Sequence, residues 1–135
     1  MRGEGRLNVL LDTSTFLWWV KGDSHLLSPR AMAVIASPDD EVYLSIVSVW
    51  EISIKHALGK LPLPASPEYF VPTQRERHGI ARLELDEAAV FGSIRLPPIH
   101  RDPFDRMLVS QALVHDLTIL TPDSAIRDYP VRTAW

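Results

Sequence analysis

Along this chain, short aliphatic runs bounded by polar residues alternate with longer stretches of helical spacing. Leu7 to Leu11 is the first such run, too short for a helix of useful length and suited to a buried strand that ends at Asp12. Thr13 to Lys21 then reads as a helix. Ser28-Pro29 supplies an N-cap followed by proline at the first helical position, for a helix over Arg30 to Ala36 that Pro38-Asp39-Asp40 closes with a turn. Val42 to Ser45 is a second short apolar strand. It feeds a helix over Ile46 to Leu58, in which Ile46, Val49, Trp50, Ser53, Ile54 and Ala57 fall at helical spacing before Gly59 ends it.

Pro62, Pro64, Pro67 and Pro72 require the segment from Lys60 to begin as a loop. Ser66-Pro67 can open a helix running towards His78, but Pro72 stands against its continuation. Ile80 to Leu85 alternates apolar and polar in strand fashion, and Asp86 can cap a helix over Glu87 to Arg95 that ends before Pro97-Pro98. Asp102-Pro103 repeats the cap-plus-proline signature and opens a helix over Phe104 to His115. Thr118 to Thr121 and Val131 to Ala134 read as the last two strands. Strands alternating with helices throughout imply an α/β layer fold with a mainly parallel sheet. At 135 residues, 46% of them hydrophobic, the chain has material for one compact core and too little length for two ordinary domains, so 1–135 reads as a single domain.

A formal net charge of −3 excludes the broad basic footprint of a protein that grips duplex nucleic acid through many phosphates, so any nucleic-acid contact must be local. The chain has no cysteine, which excludes disulfides, thiolate zinc sites and cysteine nucleophiles and fits a reducing, cytoplasmic setting. Met1 to Arg6 is polar and is followed by only a short apolar run. Neither a secretory leader nor a membrane span of roughly 20 apolar residues is expected.

The candidate chemistry lies in the acids. In open parallel sheets, ligands bind outside the carboxyl ends of the strands. Asp12 follows the first strand directly, Glu51 lies in the helix after the second, and Asp123 comes shortly after the fourth. Asp102 and Asp105 stand on the first turn of the helix before that fourth strand, where the helix dipole favours negative charge. If these groups meet, a cation or shared protons must relieve them, because two carboxylates about 4 Å apart repel by roughly 4 kcal/mol at an effective dielectric near 20. Magnesium or manganese, which prefer oxygen ligands, would suit such a site, and a bound cation there can support phosphodiester hydrolysis. Each acid also has a purely structural reading. Asp12 and Asp102 can cap the helices that follow them, Ser48-Val49-Trp50-Glu51 matches a capping box, Asp105 can complement a helix dipole, and Asp123 can stand in a turn or cap a short helix.

Taken together, Leu-Leu-Asp-Thr-Ser at 10–14, Ser-Val-Trp-Glu-Ile-Ser-Ile-Lys at 48–55, Gly-Lys-Leu at 59–61, His-Arg-Asp-Pro-Phe-Asp-Arg at 100–106, Gln-Ala at 111–112 and Leu-Thr-Pro-Asp at 120–123 give the chain a family likeness. It resembles PIN-domain ribonucleases, especially the VapC-like toxins of type II toxin-antitoxin pairs, over nearly its whole length. The resemblance implies a three-layer α/β/α fold with a mainly parallel sheet of four to five strands. It also implies Mg2+- or Mn2+-dependent endoribonuclease activity. By the same likeness Asp12, Glu51, Asp105 and Asp123 occupy the family's acidic quartet, Asp102 matches an additional acid, and Thr13 and Ser14 match small hydroxyl residues beside the first Asp. Pro122 departs from the family pattern. The implied partners are an RNA substrate, a cognate antitoxin protein and a second copy of the chain in a homodimer.

Lys55, His56, Lys60, His100, Arg101 and Arg106 flank the acidic motifs, and Lys55, Arg101 and Arg106 are candidates to hold RNA phosphates. A solvated mixed-charge surface explains each of them equally well. His56 and His100 lack the two-histidine spacing of a zinc site and read as surface or packing residues. Trp18 and Trp19 are adjacent on one helix, about 100° apart, so one of them could face a partner, although ordinary partial burial is the favoured reading of either. A PIN-like domain acting only as an RNA-binding or protein-interaction module is the alternative function, and the presence of all the expected acids speaks against it. A phospho-acceptor signalling domain would place two acids after the first strand, where only Asp12 stands.

Overall fold

Val9, Leu10 and Leu11 are fully shielded from solvent, each burial contributing roughly 1.5–3 kcal/mol, and they form the centre of strand β1 (Asn8–Leu11). The structure is a computed structural model that describes residues 7–135; the Met1 to Arg6 segment, read above against a secretory leader, lies outside the described residues. After β1 come α1 (Thr13–Lys21), a 3-10 turn over Ser24–Leu26, α2 (Pro29–Ala36), β2 (Glu41–Ser45), α3 (Ile46–Ala57) and α4 (Pro67–His78). The second half runs β3 (Ala81–Leu83), α5 (Glu87–Ile94), α6 (Pro103–His115), β4 (Thr118–Leu120), α7 (Ser124–Arg127) and β5 (Thr133–Ala134). Among the described residues no helix is long and apolar enough to cross a membrane.

The five strands form one parallel sheet in the order β3-β2-β1-β4-β5, with Leu10 opposite Tyr43 on β2 and Ile119 on β4. Because side chains alternate across a strand, the sheet buries two faces. Val9, Leu11, Val42 and Leu44 pack with Phe16, Ala31, Val34, Ile35, Phe70 and Val71 from α1, α2 and α4. Leu10 and Ile119 pack with Leu108, Val109, Ala112 and Ile126 from α6 and α7 on the other face. Helices thus cover both sides, which makes the three-layer α/β/α architecture. The chain leaves β1 towards β2 and β3 and returns to β4 on the opposite side of β1. A crevice therefore opens at the carboxyl ends of β1 and β4, the point where the strand order reverses.

Several expectations change in detail. The helix at Ser66-Pro67 runs through Pro72 to His78; proline there forgoes one backbone bond in the second turn, while the buried Phe70 and Val71 just before it hold the helix on the core. Asp123 caps the short helix α7, as one of its structural readings expected. The strands expected over Ile80 to Leu85, Thr118 to Thr121 and Val131 to Ala134 shorten to Ala81–Leu83, Thr118–Leu120 and Thr133–Ala134. The apolar stripe read on α3 is not its buried face: Val47, Ser48, Glu51 and Ile52 are buried, whereas Trp50 is 61% exposed. Val47 belongs to one core and Ile52 to the other, so α3 lies between two packed surfaces and single-stripe periodicity misreads it. Nor is Ser48 a cap, since Ser45 occupies that position, with its hydroxyl accepting from Val47 N at 2.9 Å. Trp19 packs on the core and edge-on to His78, and Trp18 meets Trp135 in the same manner.

Helices α5 and α6 approach closely at Gly92, where a Cβ would stand 2.7 Å from the buried Ser110 Oγ. That hydroxyl is committed to Ala89 O at 2.6 Å. Gly92→Ala should therefore destabilise the fold by about 1–3 kcal/mol in urea unfolding, and Gly92→Ala with Ser110→Ala should recover most of the loss by vacating the space.

Candidate active site

Asp12 stands at the N-cap of α1 with only 5% of its surface exposed. One carboxylate oxygen accepts from Thr15 N at 2.8 Å, satisfying a helix-start N–H, and the other accepts from Thr121 Oγ1 at 2.5 Å. Thr121 follows β4 and is itself fully buried. Its hydroxyl also accepts from Asp123 N at 3.0 Å, so one side chain ties the end of β1 to the loop that carries Asp123. Burial pushes the Asp12 carboxyl above its ordinary value, the hydrogen bonds from Thr121 and Thr15 pull it back, and the charge of Asp123 adds a further upward push.

Glu51 is buried on α3 and faces the same crevice. Thr13 Oγ1 lies 2.7 Å from Glu51 Oε1 and 2.9 Å from Ser48 Oγ; its single proton goes to the carboxylate, and Ser48 supplies the second bond. Lys55 Nζ, one helical turn on, donates to Glu51 Oε2 at 2.6 Å. That bond raises the Lys55 ammonium above its ordinary value and keeps it charged.

From the other side, Asp102 caps α6 by accepting from Phe104 N at 2.9 Å and Asp105 N at 3.1 Å through one oxygen. Asp123 caps α7 in the same way, accepting from Ala125 N at 2.9 Å. Asp12, Glu51, Asp102, Asp105 and Asp123, with Thr13, Ser14 and Lys55, line one polar concavity of about 150 Å³. Asp105 bears the cost of this crowding. Desolvation first, then the charges of Asp102, Asp123, Glu51 and Asp12, push its carboxyl up to about 7.

The structure thus brings together every acid singled out in the sequence, together with Thr13 and Ser14. It separates the basic candidates. Lys55 lines the concavity, paired with Glu51, while Arg101 is exposed and lines a neighbouring hollow with His100 and Arg106. Arg106 is engaged within the chain: one terminal nitrogen donates to Pro97 O, His100 O and Tyr129 Oη, the other to Ser93 O and Leu96 O. Its guanidinium also lies over the Tyr129 ring. These bonds occupy the fork and hold the loop ahead of α6 in place. His56 faces Leu61 O at 3.0 Å and His100 faces Asp128 at 3.4 Å, both outside the concavity lining. Thr121 received no role from the sequence, and Ser48 only that of a helix cap. Their signal was weak, a hydroxyl residue just past a strand and a serine inside a helix.

Carboxylate oxygens dominate this donor set, and such hard donors fit a magnesium- or manganese-like ion rather than a soft one. Among the described residues no group of three or more His, Asp or Glu is positioned to hold a metal ion by itself. The raised carboxyl of Asp105 marks the site as short of positive charge, which is the condition such an ion would relieve.

The family model described as "PIN domain" matches residues 9–131. Ribonuclease VapC16 of Mycobacterium tuberculosis is 38% identical over 56 residues, a match that spans 42% of this chain and 40% of that protein. The VapBC2 structure from Rickettsia felis, bound to a DNA fragment from its promoter, superposes with a TM-score of 0.70 at 13% identity over 96% of this chain and 99% of its counterpart. The VapBC-1 structure from nontypeable Haemophilus influenzae gives a TM-score of 0.62 at 17% identity, covering 95% and 97% of the two chains. At these identities the two structures establish the shared fold.

The crowding has a pH signature. Between its ordinary value of 3.8 and about 7, Asp105 holds its proton in the folded state but loses it in the unfolded chain, so this group's contribution to stability falls as pH rises through that window. In EDTA, thermal melts should show Asp105→Asn level with the wild type near pH 4 and a few degrees more stable at pH 8. Added Mg2+ should raise the wild-type melting temperature more than the variant's.

Proposed function

Since the chain belongs to the PIN domain family, we propose that it is a divalent-metal-dependent endoribonuclease, the toxin of a toxin-antitoxin pair, cutting RNA phosphodiester bonds at the acidic concavity. The observation that carries this reading is the convergence of Asp12, Glu51, Asp102, Asp105 and Asp123 on one pocket at the reversal point of a parallel sheet. An interaction module has no need to hold so many carboxylates against their mutual repulsion.

Asp12, Glu51, Asp105 and Asp123 would hold Mg2+ or Mn2+, with Asp102 beside them. A cation bound there supplies charge stabilisation for the scissile phosphate and a more nucleophilic water. Thr121 fixes the orientation of Asp12, and Thr13 with Lys55 fixes that of Glu51, so the carboxylates keep their places when the pocket's charge changes. With its carboxyl pushed up to about 7, Asp105 is about half protonated near neutral pH, and a cation held there would favour its ionised form. The partners in this reading are an RNA strand, an antitoxin protein that restrains the activity in the cytoplasm, and a second copy of the chain.

Purified, antitoxin-free protein should cut a mixed pool of structured RNAs with Mg2+ or Mn2+ and stop in EDTA. Asp12→Asn and Glu51→Gln should each lower the rate by at least about a hundredfold, beyond the usual effect of losing a group that only orients a ligand. Full metal-dependent cutting by either variant would sink the assignment. Thr121→Val should cost about 10–100-fold in activity or metal affinity, measured by titration with Mn2+, while the protein stays folded.

A further inference from the structure

We propose that the apolar hollow beside the acidic pocket is a nucleobase subsite, in which Trp50 and Phe104 stack a base of the RNA strand next to the cleaved phosphate. The inference rests on the reading of the pocket as an RNA-cleaving site. Trp50 immediately precedes Glu51 on α3, and Phe104 immediately precedes Asp105 on α6. Successive helical residues point about 100° apart, so two facing helices present a pair of carboxylates and, beside it, a pair of rings. The rings stand edge to face with centroids 5.4 Å apart at 74°. Val47, Leu85, Pro103 and Met107 complete an almost wholly apolar hollow of about 130 Å³ around them. Trp50 nevertheless leaves 61% of its surface to solvent, an unusual placement for an indole that closes no core.

Charge selects the occupant. Five carboxylates repel a polyanion, and among the described residues lining the acidic pocket the one cation, Lys55, is already bonded to Glu51. Arg106 is spent on backbone carbonyls, and Arg101 lines a separate hollow outside the acidic pocket. Phosphate contacts are therefore scarce where the strand must lie, and its grip must come from a contact indifferent to charge. Stacking of an unpaired base on an aromatic side chain is such a contact, sequence-tolerant and common in single-strand recognition. The hollow adjoins the carboxylates, within reach of a nucleotide flanking the cut.

The test measures binding on the Asp12→Asn background, so that the strand survives. Fluorescence anisotropy would compare labelled single-stranded oligoadenylate and oligouridylate with an abasic ribose-phosphate chain of equal length. The base-bearing strands should bind roughly tenfold to a hundredfold more tightly than the abasic one. That advantage should vanish in Trp50→Ala and largely persist in Trp50→Phe, with thermal melts showing both variants folded at the assay temperature. Equal binding of base-bearing and abasic strands, no detectable binding of either, or an advantage that survives Trp50→Ala would overturn the subsite. Survival in Trp50→Ala would hand the hollow to a protein partner's apolar side chains. Metal-dependent RNA cutting that is unimpaired in Trp50→Ala would remove the subsite and leave the nuclease reading intact. Base-dependent binding without any metal-dependent cutting would do the reverse.

Discussion

Mutual repulsion among carboxylates is the constraint around which this molecule is arranged. Left free, the acids would move apart into water; here they are held by elements whose positions are set elsewhere. Val9 to Leu11 of β1 are fully buried and deliver Asp12 to one end of the sheet. The crossover that places β4 beside β1 brings Thr121 and Asp123 to the same end, more than a hundred residues later in the chain. Helices α3 and α6 are pinned by apolar contacts and carry Glu51 and Asp105 inward. The large hydrophobic term of the sheet core thus opposes a local electrostatic cost that the site could not offset alone.

The structural and chemical readings of the acids turn out to be compatible. Asp102 and Asp123 each cap a helix through one oxygen, and the described hydrogen bonds leave their other oxygen uncommitted. Asp12 caps with one oxygen and receives the Thr121 hydroxyl on the other. A capping aspartate is anchored by backbone N–H groups and by the positive end of a helix, which makes it a stiff ligand rather than a mobile one. Asp105 has no such anchor described, and it is the carboxyl whose proton affinity rises to about 7.

The cations follow the same logic. Arg106, placed next to Asp105 in sequence, turns away and uses its rigid fork to gather the carbonyls of the loop preceding α6. Lys55 stays at the pocket and neutralises Glu51. A net charge of −3 therefore coexists with a well-defined acidic pocket, and electrostatic attraction for a polyanion is weak there. Apolar and aromatic surface from Trp50 and Phe104 lies beside these carboxylates.

Much of this was legible in one dimension. Short aliphatic runs, cap-plus-proline pairs at Ser28-Pro29 and Asp102-Pro103, and acids placed just past strands identified an α/β fold and its candidate site, because capping and strand burial are local rules written in neighbouring residues. What tertiary structure decided was everything that depends on distance between remote segments. It made Thr121 the link between Asp12 and Asp123, turned Glu51 rather than Trp50 inward, carried α4 through Pro72, and drew Arg106 from solvent into a carbonyl cluster. A helix facing two cores has no single periodic stripe to betray its buried side. Nor does a hydroxyl or guanidinium show in sequence which distant carbonyl or carboxylate will claim its protons, since that partner is chosen only when the layers pack.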